Sequence, residues 1–420
     1  MNIKDESPFI FDLSKGYKEM SKVYIVSAKR SATGSFLGTL KNMSAGDLGA
    51  EVLKSILNET KIDPKEIDEV IMGNILPAGQ GQGVARQVAI KAGVPVDVPA
   101  YSLNMACGSG MKAVMNAYTS IKAGLHHCVV AGGVEIMSGA PYLLPKEVRS
   151  GYKMGQLNLT DHMIYDALTD AFEGIHMGVT AENIAARYNI SRLEQEQFAY
   201  NSQLKAIKAV DGDVFKNEIV PIKVKLGKEE VSFEKDEYPN RKTDLDKLAG
   251  LKPAFKKDGV VTAGTASGLN DGASITLIAS EEFVKKHNLT PIAEVVAIGQ
   301  GGVEPNVMGL GPTPAIRHAL KHGNLSLSDI DVFELNEAFA AQSLGVVHEL
   351  SEEHKVSKEE IMNKTNPHGG AIALGHPVGA SGNRILVTLV HELHTLNKNI
   401  GCASLCIGGG MGTAIIVKKA

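Results

Sequence analysis

The sequence predicts an α/β protein built from two α/β halves of related topology, with a separate segment inserted between them. Three observations predict it. The chain has 420 residues, more than one hydrophobic core usually serves. The order strand, glycine-rich turn, helix, strand occurs twice, and a stretch of different texture lies between the two copies.

The first copy starts with KIDPKEIDEVIMGN from Lys61 to Asn74, and the second with LSLSDIDVFELN from Leu325 to Asn336. Both read as a helix-start turn feeding a buried strand. Farther on, Cys107-Gly-Ser-Gly110 opens a helical pattern that leads to HCVVAGG from His127, while Gly379-Ala-Ser-Gly382 opens another that leads to ASLCIGG from Ala403. The alternative is chance likeness, since βαβ units share composition. After Gly110, the residues Met111, Val114, Met115, Tyr118 and Ile121 form one apolar stripe at helical spacing, and Ile385, Leu386, Leu389, Val390 and Leu393 do the same after Gly382. Both stripes read as core.

Residues 139–268 are rich in charge and carry helix-like runs around Ala181 and from Leu193 to Val210. Excursions of this kind from a rigid core commonly carry substrate contacts. The organisation that follows is an N-terminal extension over 1–19, a first half over 20–138 and 269–290, an inserted loop domain over 139–268, and a second half over 291–420.

Composition removes several function classes. Forty-three Lys plus Arg against 47 Asp plus Glu leave a net charge of −4, so no global field draws the chain to nucleic acid. No apolar run is long enough to span a bilayer. Four cysteines, Cys107, Cys128, Cys402 and Cys406, are too few for a disulfide scaffold at this length, which favours a reducing compartment. The first twenty residues lack arginine and an apolar core of signal-peptide length, so they read as an extension or as upstream of an alternative start at Met20. The terminal VKKA is not a peroxisomal tripeptide, and the expected location is cytoplasmic.

The chemistry concentrates in four segments. Cys107 sits where the strand-like run from Val98 to Ala106 meets a helix start, a place where free backbone N–H groups are expected to lower a thiol pKa from about 8.5 toward neutrality. A buried cysteine in a tight turn is the plainer reading. Cys406 precedes the run Gly408-Gly-Gly410, either an oxyanion cradle or a hairpin turn with a core cysteine. His376, between Gly375 and Pro377 at a strand-to-helix junction, is the base that a thiol nucleophile needs, whereas His368 reads equally as a turn residue. Asn336 emerges at a strand end, to orient a water or polarise a carbonyl, or simply to cap a helix.

Taken together and in this order, MACGSG from Met105, NEAF from Asn336, GHP from Gly375 and CIGGGMG from Cys406 resemble the four catalytic blocks of the thiolase family, with the likeness running from about Lys22 to Lys419. The resemblance implies a layered αβαβα arrangement of duplicated halves with a CoA-binding loop domain. It also implies an acetyl-CoA C-acetyltransferase: reversible Claisen condensation of two acetyl-CoA to acetoacetyl-CoA and CoA through an acyl-cysteine. By the same resemblance Cys107 is acylated, His376 takes its proton, and Cys406 exchanges protons with the substrate α-carbon. His376 and an Asn336-bound water would form one oxyanion site, and the N–H groups of Cys107 and Gly408 the other.

Within the loop segment, RSGYKMG from Arg149 followed by HMG from His176 is similar to the short-chain subgroup. Carried over residue by residue, His176 and Met177 line the thioester end, Ser267 contacts pantetheine, Leu168, Phe255 and Phe339 are apolar walls, and Arg241 meets the nucleotide. The family also implies a homo-oligomer, a tetramer or a dimer, with acyl-CoA substrates, no tightly bound cofactor and no metal. Two positions depart from the family pattern: Thr265, where Asn is usual, and His368, where Asn is frequent. They bear on substrate preference rather than on reaction class. A broader-chain degradative 3-ketoacyl-CoA thiolase and a silent acyl-CoA-binding member of the fold are the alternative readings.

Two other signals are set aside. The glycines from Gly79 to Gly83 are mis-spaced for a dinucleotide loop, and His391-Glu-Leu-His394 is mis-spaced for a zinc helix.

Overall fold

The structure, a computed structural model, describes residues 22–420; the extension expected over 1–19 lies outside the described residues. The first half comprises β1 (Val23–Ser31), α1 (Ala45–Thr60), β2 (Glu69–Gly73), α2 (Val84–Ala92), β3 (Ala100–Leu103), α3 (Ser109–Lys122) and β4 (Cys128–Ile136). The inserted segment carries α4 (Met177–Tyr188) and α5 (Arg192–Asp211), after which β5 (Asn270–Ser280) returns to the first half. The second half follows as β6 (Ala293–Gly302), α6 (Pro312–Gly323), β7 (Val332–Leu335), α7 (Ala340–His354), α8 (Val378–Thr395), β8 (Ile400–Ile407) and β9 (Met411–Lys419).

The duplication is a matter of strand pairing. In the first half β2 pairs parallel with β4, β4 antiparallel with β5, and β5 antiparallel with β1. In the second half β7 pairs parallel with β8, β8 antiparallel with β9, and β9 antiparallel with β6. Strand for strand these orders coincide; β3 has in its place an isolated bridge between Phe333 and Thr365, and the short strands Gly34–Ser35 and Ile219–Val220 on the first half have no counterpart among the described residues. The halves join edge to edge through just two residue pairs of β1 and β6, Tyr24 with Glu294 and Ile25 with Ala293.

Packing places the helices in layers. Leu48, Leu53 and Ile56 of α1 and Val88 of α2 cover one outer face, and Ile316 and Leu320 of α6 with Val346 and Leu350 of α7 cover the other. Between them α3 and α8 share a single core. There the predicted stripes, Met111 and Val114 on one helix and Ile385 and Leu389 on the other, meet Val129, Ala131, Leu405 and Ile415 from both halves. This is the expected αβαβα arrangement. Each helix has a polar face for solvent or an apolar one for the sheet, except α8, which is buried along nearly its whole length because it has protein on every side.

The start of α8 touches the first half without intervening side chains. A Cβ on Gly133 of β4 would lie 2.0 Å from the Gly379 carbonyl oxygen, and one on Gly110 of α3 would lie 2.9 Å from the same atom. Only hydrogen at these positions lets the N-terminal ends of α3 and α8 converge. Those two ends carry Cys107 and His376.

Candidate active site

The chain bends sharply after β3. Ala106 has φ +41°, a left-handed conformation that costs a side-chain-bearing residue about 1–3 kcal/mol and persists only when neighbours enforce it. Asn104 Oδ1 accepts a hydrogen bond from the Ala106 N–H at 3.0 Å, while Ser109 Oγ accepts from the Met105 N–H at 2.8 Å and donates to the Ala106 carbonyl at 2.7 Å. The bend turns Cys107 off the strand end and into a cavity at the start of α3, a helix with no side-chain cap of its own.

That cavity, of about 330 Å³, is lined by Cys107 and His376 together with Leu168, His176, Met177, Phe255, Ser267 and Phe339. Residues more than 250 positions apart in the chain are thus brought to one site, with further apolar walls from Met137, Leu269, Met308 and Val378 that the sequence did not single out. Gly408 lies beside it, since a Cβ there would fall 3.5 Å from Met177 Sδ and 4.0 Å from Ala106 Cβ.

Cys406 is fully buried in β8, paired with Gly412 across the hairpin that Gly409 and Gly410 turn at φ +88° and +86°. It packs in the same apolar cluster as Met177 and Phe339. The hairpin and the core cysteine are therefore both real, and the second thiol still lies near the first: the charge that Cys107 can carry adds to burial in pushing the Cys406 pKa up. Asn336 follows β7 and is buried, and neither its amide nitrogen nor its amide oxygen has a protein partner among the described residues. A buried amide in that condition favours a polar guest.

His376 is held by two residues. Its backbone N–H donates to Asn270 Oδ1 at 2.9 Å, and its Nδ1 lies 2.6 Å from Ser381 Oγ. Ser381 spends its own proton on the Pro377 carbonyl at 2.9 Å, so its oxygen receives the proton on Nδ1. The tautomer is then fixed with the lone pair on Nε2, ready to accept a proton. Ser381 stands five residues beyond His376, in the glycine-flanked helix start, where the sequence marks it only as a turn residue, while Asn270 sits in a distant strand with no local signal.

One expectation is corrected. The Cys107 thiol is not pulled toward neutrality: burial pushes it up to about 11, against the opposing pull of the Gly408 N–H and its own N–H. The dry wall outweighs the helix end. Burial likewise lowers His376 to about 4, with a smaller push from the Arg384 charge. The resting pair is neutral thiol and neutral imidazole. It follows that the neutral imidazole is present above about pH 4 and is lost as pH falls through that value. A kcat/KM–pH profile over the range where the fold survives is expected to show no acid limb near 6.5, where an ordinary histidine would place one.

The inserted segment supplies one wall through a stacked set of rings. His176 caps α4, its Nδ1 accepting from the Gly178 N–H at 3.0 Å, and its ring stacks on Phe255 at 4.9 Å. Phe255 in turn meets Phe339 edge-on at 5.8 Å. Ser267 is anchored by its N–H to the Ala338 carbonyl at 2.9 Å, and the Leu168 carbonyl accepts from the Met177 N–H at 2.8 Å. Arg241 is not in this cavity. It is exposed, paired in two-pronged fashion with Asp211 at 2.7 and 2.8 Å, and lines a neighbouring cleft with Lys242 and Lys247. That cleft adjoins the cavity, with Tyr238, Ala263 and Ala266 lining both. Thr265 is buried and bonded to Thr262, and His368 Nδ1 meets Glu392 at 2.8 Å away from the cavity.

Residues 23–282 match the family model described as thiolase, N-terminal domain, and residues 289–419 match thiolase, C-terminal domain. The chain belongs to the thiolase family. This thiolase is 51% identical over 401 residues to a probable acetyl-CoA acyltransferase of Staphylococcus epidermidis, covering 95% of this chain and 99% of that one. Among solved structures it is similar to the Bacillus anthracis acetyl-CoA acetyltransferase, at 43% identity and TM-score 0.90 over 96% of this chain and 99% of that one. It is equally similar to human mitochondrial 3-ketoacyl-CoA thiolase, at 42% identity and TM-score 0.90 over the same shares. The protein is accordingly a thiolase-type acyltransferase acting on acyl-CoA. Among the described residues no helix is long and apolar enough to cross a membrane.

Proposed function

We propose that this thiolase carries out the reversible condensation of two acetyl-CoA to acetoacetyl-CoA and free CoA through an acyl thioester on Cys107. The observation that carries the reading is the convergence of Cys107 and His376 on one apolar cavity with a second thiol, Cys406, close behind. A hydrolase or simple thioesterase has no use for that second thiol; carbon–carbon chemistry needs a group to move the α-proton.

In the degradative direction His376 Nε2 accepts the Cys107 proton as sulfur adds to the 3-keto carbon. The N–H groups of Cys107 and Gly408 receive the developing oxyanion. The bond between C2 and C3 breaks, Cys406 protonates the departing enolate carbon to give acetyl-CoA, and water held by Asn336, with His376, stabilises the enolate oxygen. The Cys406 thiolate then takes the proton of incoming CoA, whose sulfur displaces the acetyl group from Cys107, and His376 returns its proton to the released Cys107 sulfur. Splitting one hard exchange into two nearly balanced transfers gives ping-pong kinetics. Arg241, which lines the adjoining cleft, takes the nucleotide end of CoA in this reading. The reading includes a cytoplasmic homo-oligomer with no resident cofactor.

Short-chain preference is supported by the cavity. His176 and Met177, which line it beside Cys107, belong to the loop pattern that resembles the short-chain subgroup. The degradative, broader-chain reading is kept in play by the likeness to the human 3-ketoacyl-CoA enzyme. Thiolysis of acetoacetyl-CoA against a longer 3-ketoacyl-CoA decides between them. We expect kcat/KM to favour the four-carbon substrate by about tenfold or more. Equal or better use of the longer chain would move the assignment to the degradative class.

A further inference from the structure

We infer that Glu135 is a positioning residue that sets His376 of the second half against Cys107 of the first. Glu135 is the next-to-last residue of β4 and is completely buried. Its Oε2 accepts from the Ile75 N–H at 2.9 Å and from the Gly379 N–H at 3.0 Å, and its Oε1 accepts from Asn74 Nδ2 at 2.9 Å and from the Leu76 N–H at 3.2 Å. Three of those donors belong to the first half. The fourth is in the first turn of α8, directly after His376 and Pro377.

Two features make this clamp consequential. The helix α8 has no side-chain cap of its own, because Pro377 occupies its N-cap position. A carboxylate at a helix N-terminus is favourable, and here it is supplied by the opposite half of the molecule. Around the clamp, the contact between halves is made by glycines, with a Cβ on Gly379 falling 2.4 Å from Glu135 Oε2 itself. Backbone lying on backbone lets the halves approach, and side chains of the first half then fix how the start of α8 sits: Asn270 takes the His376 N–H at 2.9 Å, Ser274 Oγ donates to the Ala380 carbonyl at 2.8 Å, and the Glu135 carboxylate takes the Gly379 N–H between them at 3.0 Å. Ser381, which holds the tautomer of His376, lies two residues beyond Gly379 and moves with it.

Burial raises Glu135 to about 7, opposed by the N–H groups of Ile75, Leu76 and Gly379, with the nearby Asp271 carboxylate adding to the rise. Asp271 faces it from β5 and is itself raised by burial. All four groups bonded to Glu135 are donors, so its role here is that of an acceptor on both oxygens. Glutamine cannot reproduce this, because one of its two ends would turn a second donor toward N–H groups already aimed at it.

The inference rests on the reading of Cys107 as the acylated thiol and His376 as its base, and the test separates the two. Wild type, Cys107→Ser, Glu135→Gln and Asn74→Ala are compared as full chains. Each is assayed for acetoacetyl-CoA thiolysis, for the rate of Cys107 alkylation by iodoacetamide across pH without substrate, and for melting temperature. For Glu135→Gln we expect kcat to fall about 30-fold or more with KM for CoA changed less than about threefold, since a displacement near 1 Å at the reacting atoms costs of that order. Alkylation at neutral pH should slow about tenfold because the base no longer meets the thiol. Asn74→Ala, which loosens the clamp without adding a donor, should move both readouts the same way by about threefold.

Wild-type kcat in a folded Glu135→Gln overturns the inference. So does a lowered kcat with an unchanged alkylation profile, which would make Glu135 merely structural. If Glu135→Gln does not fold, unchanged readouts in Asn74→Ala overturn it. Full activity in Cys107→Ser would instead sink the underlying reading.

Discussion

Cys107→Ser is expected to lower acetoacetyl-CoA turnover by about four orders of magnitude or more while leaving melting temperature and CoA binding near wild type. The thiol is already pushed up to about 11 by its surroundings, and an alcohol in the same dry cavity is far harder to deprotonate. A neutral imidazole held near 4 is a weak base for that task. Sulfur is also the better leaving group when CoA reclaims the acyl unit. The substitution is close to isosteric, so the bend enforced by Asn104 and Ser109 survives. Stopped kinetics with intact CoA binding, read by titration, would fit; residual turnover within tenfold of wild type would remove Cys107 from the chemistry.

Gly133→Ala is expected to cost about 3 kcal/mol of stability, at the upper end for overpacking, and to abolish most activity with it. The added methyl would lie 2.0 Å from the Gly379 oxygen, 2.8 Å from its carbonyl carbon and 3.0 Å from Ala380 Cα. All three are backbone atoms, so no side chain can swing aside. The halves must separate at the place where Cys107 and His376 meet. Gly124→Ala is the matching control: its φ is +74° but nothing lies within 4 Å of the added Cβ, and about 1 kcal/mol of backbone cost is expected with activity retained. Thermal unfolding and kcat for the pair read the contrast, and equal effects at the two glycines would contradict it.

The duplicated fold was legible because its signals are local. The stripes of α3 and α8 repeat at helical spacing, and the turns before β2 and β7 share a pattern, so each unit announces itself within about thirty residues. The pairing of Met111 and Ile385 in one central core needed the structure, since apolar periodicity gives a face and not its partner. The site was legible where a motif keeps its chemistry in one stretch, as around Cys107 and His376. Asn270 and Glu135 were not, because each acts across the chain through backbone N–H groups that any sequence supplies. The pKa of Cys107 went the other way from expectation for a related reason: the helix start is visible in the sequence, but the dry apolar walls that outweigh it come from several separate segments.

The most direct test of the account is to incubate the protein with acetyl-CoA alone, quench in acid, and map the acetyl group by mass spectrometry of peptides. The account predicts one acetyl group per chain on the peptide containing Cys107, removed when CoA is added before the quench. An acetyl group on Cys406 instead, or steady turnover with no acylated cysteine at any time, would contradict it.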